Sequence, residues 1–86
     1  MPEISRFYGI IISMYYKDHY PPHFHARYGE FKAEINIYDF AIKEGYLPPK
    51  ALGLVMEWAN EHQEELMQNW KASEEKRPLS PIEPLK

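Results

Sequence analysis

The sequence contains no cysteine. That absence excludes disulfide staples, thiolate-bound zinc, iron–sulfur clusters and thiol chemistry together. Long apolar runs are missing too. Ile10–Ile12 follows Glu3 and Arg6 and is far too short to span a bilayer. The N-terminus lacks the basic start and cleavage site of a signal peptide, so a cytoplasmic location and no membrane partner are expected. Nor is there an excess of positive charge. A formal net charge of -3 and a pI near 5.8 argue against a nonspecific nucleic-acid binder.

What the chain does have is aromatic bulk. Seven Tyr, four Phe and two Trp in 86 residues let a small core be built from few large side chains. This length gives one domain with a modest core, and no internal repeat is visible. The charge is uneven. Residues 1–34 balance four Arg/Lys against four Asp/Glu, while the acidity comes later, from Glu57, Glu61, Glu64, Glu65, Glu74 and Glu75. A locally basic surface on the first half remains open.

Residues 7–16, "FYGIIISMYY", read as one strand whose even positions are uniformly apolar. "KDHYPP" then interrupts it, because consecutive prolines cannot donate to a ladder. "HFHARY" (23–28) and "FKAEINI" (31–37) each alternate. The two-residue loop Gly29–Glu30 suits a hairpin turn with glycine first. That turn sets Tyr28 opposite Phe31, Ala26 opposite Ala33 and Phe24 opposite Ile35. On the other face it sets Arg27 opposite Lys32, His25 opposite Glu34 and His23 opposite Asn36. A slip by one residue would mix the faces.

A short fourth strand is expected around Ala41–Lys43. "PPK" then opens a helix from about Lys50 to about Glu75, Pro49 being tolerated in the first turn. Ala51, Leu52, Val55, Trp58, Ala59, Leu66 and Trp70 share one stripe, with Glu57, Glu61, Glu64 and Gln68 opposite. Trp58 and Trp70 read as structural anchors. His62 lies within the same stripe and reads as a core histidine with a hydrogen-bond partner. The expected fold is α+β: an antiparallel sheet of three to four strands with one long C-terminal helix on its apolar face. Residues 1–76 form the domain, and 77–86 an extended proline-rich tail whose Leu79, Ile82 and Leu85 could dock.

Three of the four histidines fall in "DHYPPHFHARYGE" (18–30), and three readings are open. In the first, His23 and His25, on one face of a strand, bind a metal with His19 or Asp18 folding back and Glu34 adding a carboxylate. Zinc, nickel or ferrous iron suits such ligands. In the second, His25 held by Glu34 is the base of a metal-independent ribonuclease, His23 or His19 the acid, and Arg27 with Lys32 bind phosphate. In the third, this is the wet side of a sheet, no cofactor is expected, and the domain binds a partner protein or a second copy of itself.

"PEISRFYG", "DHYPPHFH", "YGEFKAEI", "MEWANEHQEEL" and "PLSPIEPL" together resemble the bacterial domain-of-unknown-function family 4160, across essentially the whole chain. Tyr20 stands where Asn is familiar in that pattern, and Tyr8 where Phe is common. The resemblance implies a setting rather than a chemistry. Members are often encoded beside another small unknown-function family, number 2442, in an arrangement similar to toxin–antitoxin pairs. It implies a protein-binding role whose partner is the product of that neighbouring gene, with RNA as a further target. "HFHARYGEFKAEI" followed by "LPPKALGLVMEWA" also resembles part of the HicA-type mRNA-interferase toxins. That family opens with a helix and is usually basic, unlike this chain.

Overall fold

The computed structural model describes residues 2–86, so Met1 lies outside the described residues. Five strands form one antiparallel sheet in chain order: β1 (Glu3–Phe7), β2 (Ile10–Ser13), β3 (His23–Tyr28), β4 (Phe31–Asn36) and β5 (Ile42–Gly45). Two helices follow, α1 (Pro49–Glu61) and α2 (Gln63–Glu74). The class is the expected α+β, but the sheet has more strands and the helical stretch is broken.

The extra strand comes from the N-terminal run. Residues 7–16 are not one strand, because the chain reverses at Tyr8 (φ 50°) and Gly9 (φ 80°). Two successive residues at positive φ make a tight turn whose twist suits the flanking strands. Ile10 and Ile12 of β2 and Ile4 and Phe7 of β1 all enter the core, so the apolar pattern runs through the turn and conceals it. The β3–β4 hairpin has the register its sequence predicts, from His23↔Asn36 to Tyr28↔Phe31. At the far edge Gly45 sits at φ 89°, where a Cβ would run into the Lys32 carbonyl oxygen and lie 2.9 Å from the Ala33 Cα. Only glycine lets β5 approach β4 this closely.

The helical stretch breaks at His62 (φ -125°, ψ 24°). Beyond the break the Gln63 side chain donates to the carbonyls of Ile37 (2.8 Å) and Tyr38 (3.1 Å), tying α2 to the end of β4. The His62 ring packs 5.5 Å from Trp58 and its Nδ1 lies 2.6 Å from Glu65 Oε1, so it has the partner a largely buried imidazole needs. The break gives the two tryptophans different targets. Trp58 of α1 lies against Phe7 and Phe24, whereas Trp70 of α2 lies 5.3 Å from the ring of His23. Since Phe24 and His23 are consecutive on β3, they project to opposite faces.

The tail is extended and docked. Ile82 is buried and its N–H donates to the Ile4 carbonyl (2.8 Å). Asn69 grips the Ser80 backbone through both amide atoms, at 2.9 and 2.8 Å, and the Trp58 indole N–H donates to the Glu83 carbonyl at 2.8 Å. Among the described residues no helix is long and apolar enough to cross a membrane.

Candidate metal centre

His23 and His25 open β3 two residues apart, so their side chains share one face of the strand. The loop from β2 returns to that face. It turns at Lys17 (φ 57°) and brings the Asp18 carboxylate onto both imidazoles before Pro21–Pro22 feed the chain into β3. Asp18 Oδ2 lies 3.0 Å from His23 Nε2 and 2.9 Å from His25 Nε2. One potential ligand atom from each of Asp18, His23 and His25 lies within 4.8 Å of the others.

The surroundings fix these groups. His23 is buried to 0% side-chain exposure, although strand alternation puts it on the face expected to be wet. The Trp70 ring packs against it, with centroids 5.3 Å apart. The His25 ring is set edge-on to Tyr15, with centroids 4.4 Å apart, and is 5.2 Å from the ring of His23. The His19 backbone N–H donates to Asp18 Oδ1 at 2.8 Å, leaving Oδ2 for the histidines. Burial alone would raise the Asp18 carboxyl. The hydrogen bond from His25, that from the His19 backbone and the attraction that His23 and His25 exert when protonated outweigh it, holding Asp18 below its ordinary 3.8. Asp18 is therefore a carboxylate at neutral pH.

The proton on His23 can be assigned from its partners. Nδ1 lies 2.8 Å from the Pro21 carbonyl oxygen, which can only accept, so Nδ1 carries the N–H. In neutral imidazole Nε2 then holds a lone pair. That lone pair is aimed at Asp18 Oδ2 (3.0 Å) and, further off, at Glu34 Oε1 (3.5 Å). A lone pair directed at two carboxylates is repulsive, and inside a protein the repulsion is poorly screened. Only a cation between them, a proton or a metal ion, reverses the sign.

The predicted residues are partly brought together. His23 and His25 converge, and their carboxylate is Asp18, while His19 is exposed and contributes its backbone rather than its ring. Glu34 stands opposite His25 in the ladder. Its nearest side-chain nitrogens are nevertheless Lys43 Nζ and His23 Nε2, each at 3.5 Å, and the partner of His25 is Asp18. The base–carboxylate pair of the ribonuclease reading is thus not the contact found. Arg27 and Lys32 are exposed, opposite each other, two residues further along their strands. Trp70 is a wall of the site that no motif announced. Its signal was indirect, a second tryptophan on the helical stripe.

A family model described as "Domain of unknown function (DUF4160)" matches residues 9–71, a span that contains Asp18, His23, His25, Glu34 and Trp70. No curated protein and no solved structure matches the chain.

Proposed function

The chain belongs to the DUF4160 family, which prescribes no chemistry, and on that premise we propose that it is a divalent-metal-binding protein whose ligands are Asp18, His23 and His25. The observation that carries this reading is the commitment of His23 Nδ1–H to the Pro21 carbonyl, which leaves Nε2 facing carboxylate oxygens, a contact that needs a proton or a metal ion between them. Metal-bound histidines characteristically give their other N–H to a carbonyl or carboxylate in this way. Two imidazoles and one carboxylate suit zinc, nickel or ferrous iron and leave coordination positions for water or substrate. Ligand atoms about 2.0–2.1 Å from such an ion lie roughly 2.9–3.4 Å from one another, so the 2.9 and 3.0 Å separations need little adjustment. Bound there, the ion would acidify a water or polarise an oxygen.

The expectation of a partner protein from a paired gene rests on resemblance, and the geometry of the site adds nothing to it. The test is equilibrium dialysis of the untagged chain against Zn²⁺ and Ni²⁺, beside Asp18→Asn and the double variant H23Q/H25Q, with circular dichroism reporting the fold. One tightly bound equivalent in the wild type, lost in folded Asp18→Asn, is expected. Affinity no tighter than about micromolar, a binding free energy of roughly 8 kcal/mol, would overturn the proposal.

A further inference from the structure

A second row of charge crosses the same sheet face beside the cluster. Register sets Arg6 opposite Ile11, Ile11 opposite Arg27 and Arg27 opposite Lys32, so one line across four strands carries three cations. The neighbouring line runs through Ser13, His25, Glu34 and Glu44. The two lines are separated by two residues, about 6.8 Å along a strand. Arg6 is answered by Glu3 at 2.8 Å. Among the described residues Arg27 and Lys32 have no ion-pair partner. Like charges directly opposed on a ladder are destabilising, so the fold carries a repulsion there that a bound anion would relieve.

Lys32 of the first line shares a cleft with His25, Glu34 and Glu44 of the second. Tyr15, His25, Lys32, Glu34 and Glu44 line an open cavity of about 420 Å³, within the range that holds small ligands. One wall is a proposed metal ligand and another an unpaired ammonium group. Resting on the metal reading above, we infer that this cleft takes the phosphate group of a phosphate ester, held by the ion at His25 on one side and by Lys32, with Arg27 beside it, on the other. Charge-assisted contacts from ammonium and guanidinium groups are the usual partners of phosphate oxygens.

The carboxylates decide the conditions. Glu34 and Glu44 face each other across β4 and β5 and repel an anion. Without a divalent ion, Arg27, Lys32 and Lys43 are balanced by Asp18, Glu34 and Glu44, so the relief of the Arg27–Lys32 repulsion is offset by the carboxylates and the cleft has no net attraction for an anion. With the ion the balance becomes positive. Phosphate binding is therefore coupled to metal binding.

The experiment uses the full chain loaded with Co²⁺, titrated with inorganic phosphate while the visible spectrum of the ion is followed. Chloride at matched ionic strength is the control. The expected result is a saturable spectral change, about tenfold weaker or more in R27Q/K32Q, with Co²⁺ affinity unchanged. Both substituted residues are exposed, so the variant keeps its fold. If Co²⁺ binds at one equivalent but phosphate acts no differently from chloride, the inference falls and the metal reading stands. It falls equally if R27Q/K32Q binds phosphate as tightly as the wild type, or if the metal-free chain binds it equally well. Failure of Co²⁺ to bind overturns both.

Discussion

Replacing Asp18 by asparagine separates a metal centre from a buried ion pair, because the two make opposite predictions about stability. Asp18 Oδ1 accepts the His19 N–H and Oδ2 faces the Nε2 atoms of His23 and His25. In Asp18→Asn the amide oxygen can keep the His19 bond, and the NH₂ then occupies the place of Oδ2. Its two hydrogens can be donated to Nε2 lone pairs on neutral histidines, with His23 Nδ1–H still on Pro21. The metal-free variant should consequently lie within about 1 kcal/mol of wild type at pH 7.5, the worth of one net hydrogen bond. Metal affinity should collapse. Loss of an outer partner of a metal ligand typically costs 10–100-fold, so loss of an anionic ligand should exceed about 100-fold, or about 2.7 kcal/mol. Urea denaturation gives the first quantity and competition against a chromophoric chelator the second. A centre held together by imidazolium–carboxylate attraction should instead lose about 3–5 kcal/mol when one partner is removed. That outcome, with metal affinity unaltered, would refute the reasoning.

Other consequences are more local. The Asp18 carboxyl is held below its ordinary 3.8, so its ionised form stabilises the fold above the unfolded value, and that contribution is lost as pH falls through the folded one. Acid unfolding followed by tryptophan fluorescence should therefore have a shallower slope below about pH 4 in Asp18→Asn. Gly45→Ala combines a positive φ with collision against the Lys32 carbonyl and should cost about 3 kcal/mol or more in thermal unfolding, unlike substitution at Gly53, which has open space. Ile82→Ala removes a tail side chain that is 4% exposed and should cost about 2–4 kcal/mol by urea titration. Trp58→Phe loses a hydrogen bond to Glu83, whereas Trp70→Phe removes a buried indole N–H that has no partner among the described residues. The first should be the more damaging by about 1 kcal/mol.

Which parts of this molecule can be read from its sequence follows from the range of the interactions involved. The ladder register that sets His25 opposite Glu34 is legible because a two-residue turn and strict alternation fix register within a dozen residues, though the side-chain partner of His25 is Asp18. The reversal at Tyr8–Gly9 was not, since tyrosine at positive φ carries no turn signature and apolar residues continue on both sides. The break at His62 has neither glycine nor proline to mark it, and Gln63 bonds to carbonyls 25 and 26 residues away in sequence. The contact between Trp70 and His23 is not legible either, since it joins residues 47 apart in the chain. Asp18 could be named as a possible ligand but not preferred over His19, because the choice depends on the path of residues 17–22 rather than on any periodicity.

The central claim is that Asp18, His23 and His25 hold a metal ion, and the most direct measurement is a crystal structure of the full chain grown with one equivalent of Zn²⁺, recorded at the zinc absorption edge. The expected result is a single strong anomalous peak about 2.0–2.2 Å from Asp18 Oδ2, His23 Nε2 and His25 Nε2, with His23 Nδ1 still on the Pro21 carbonyl. An anomalous map with no peak between these three residues, their side chains remaining in direct contact as they are at 2.9 and 3.0 Å, would contradict it.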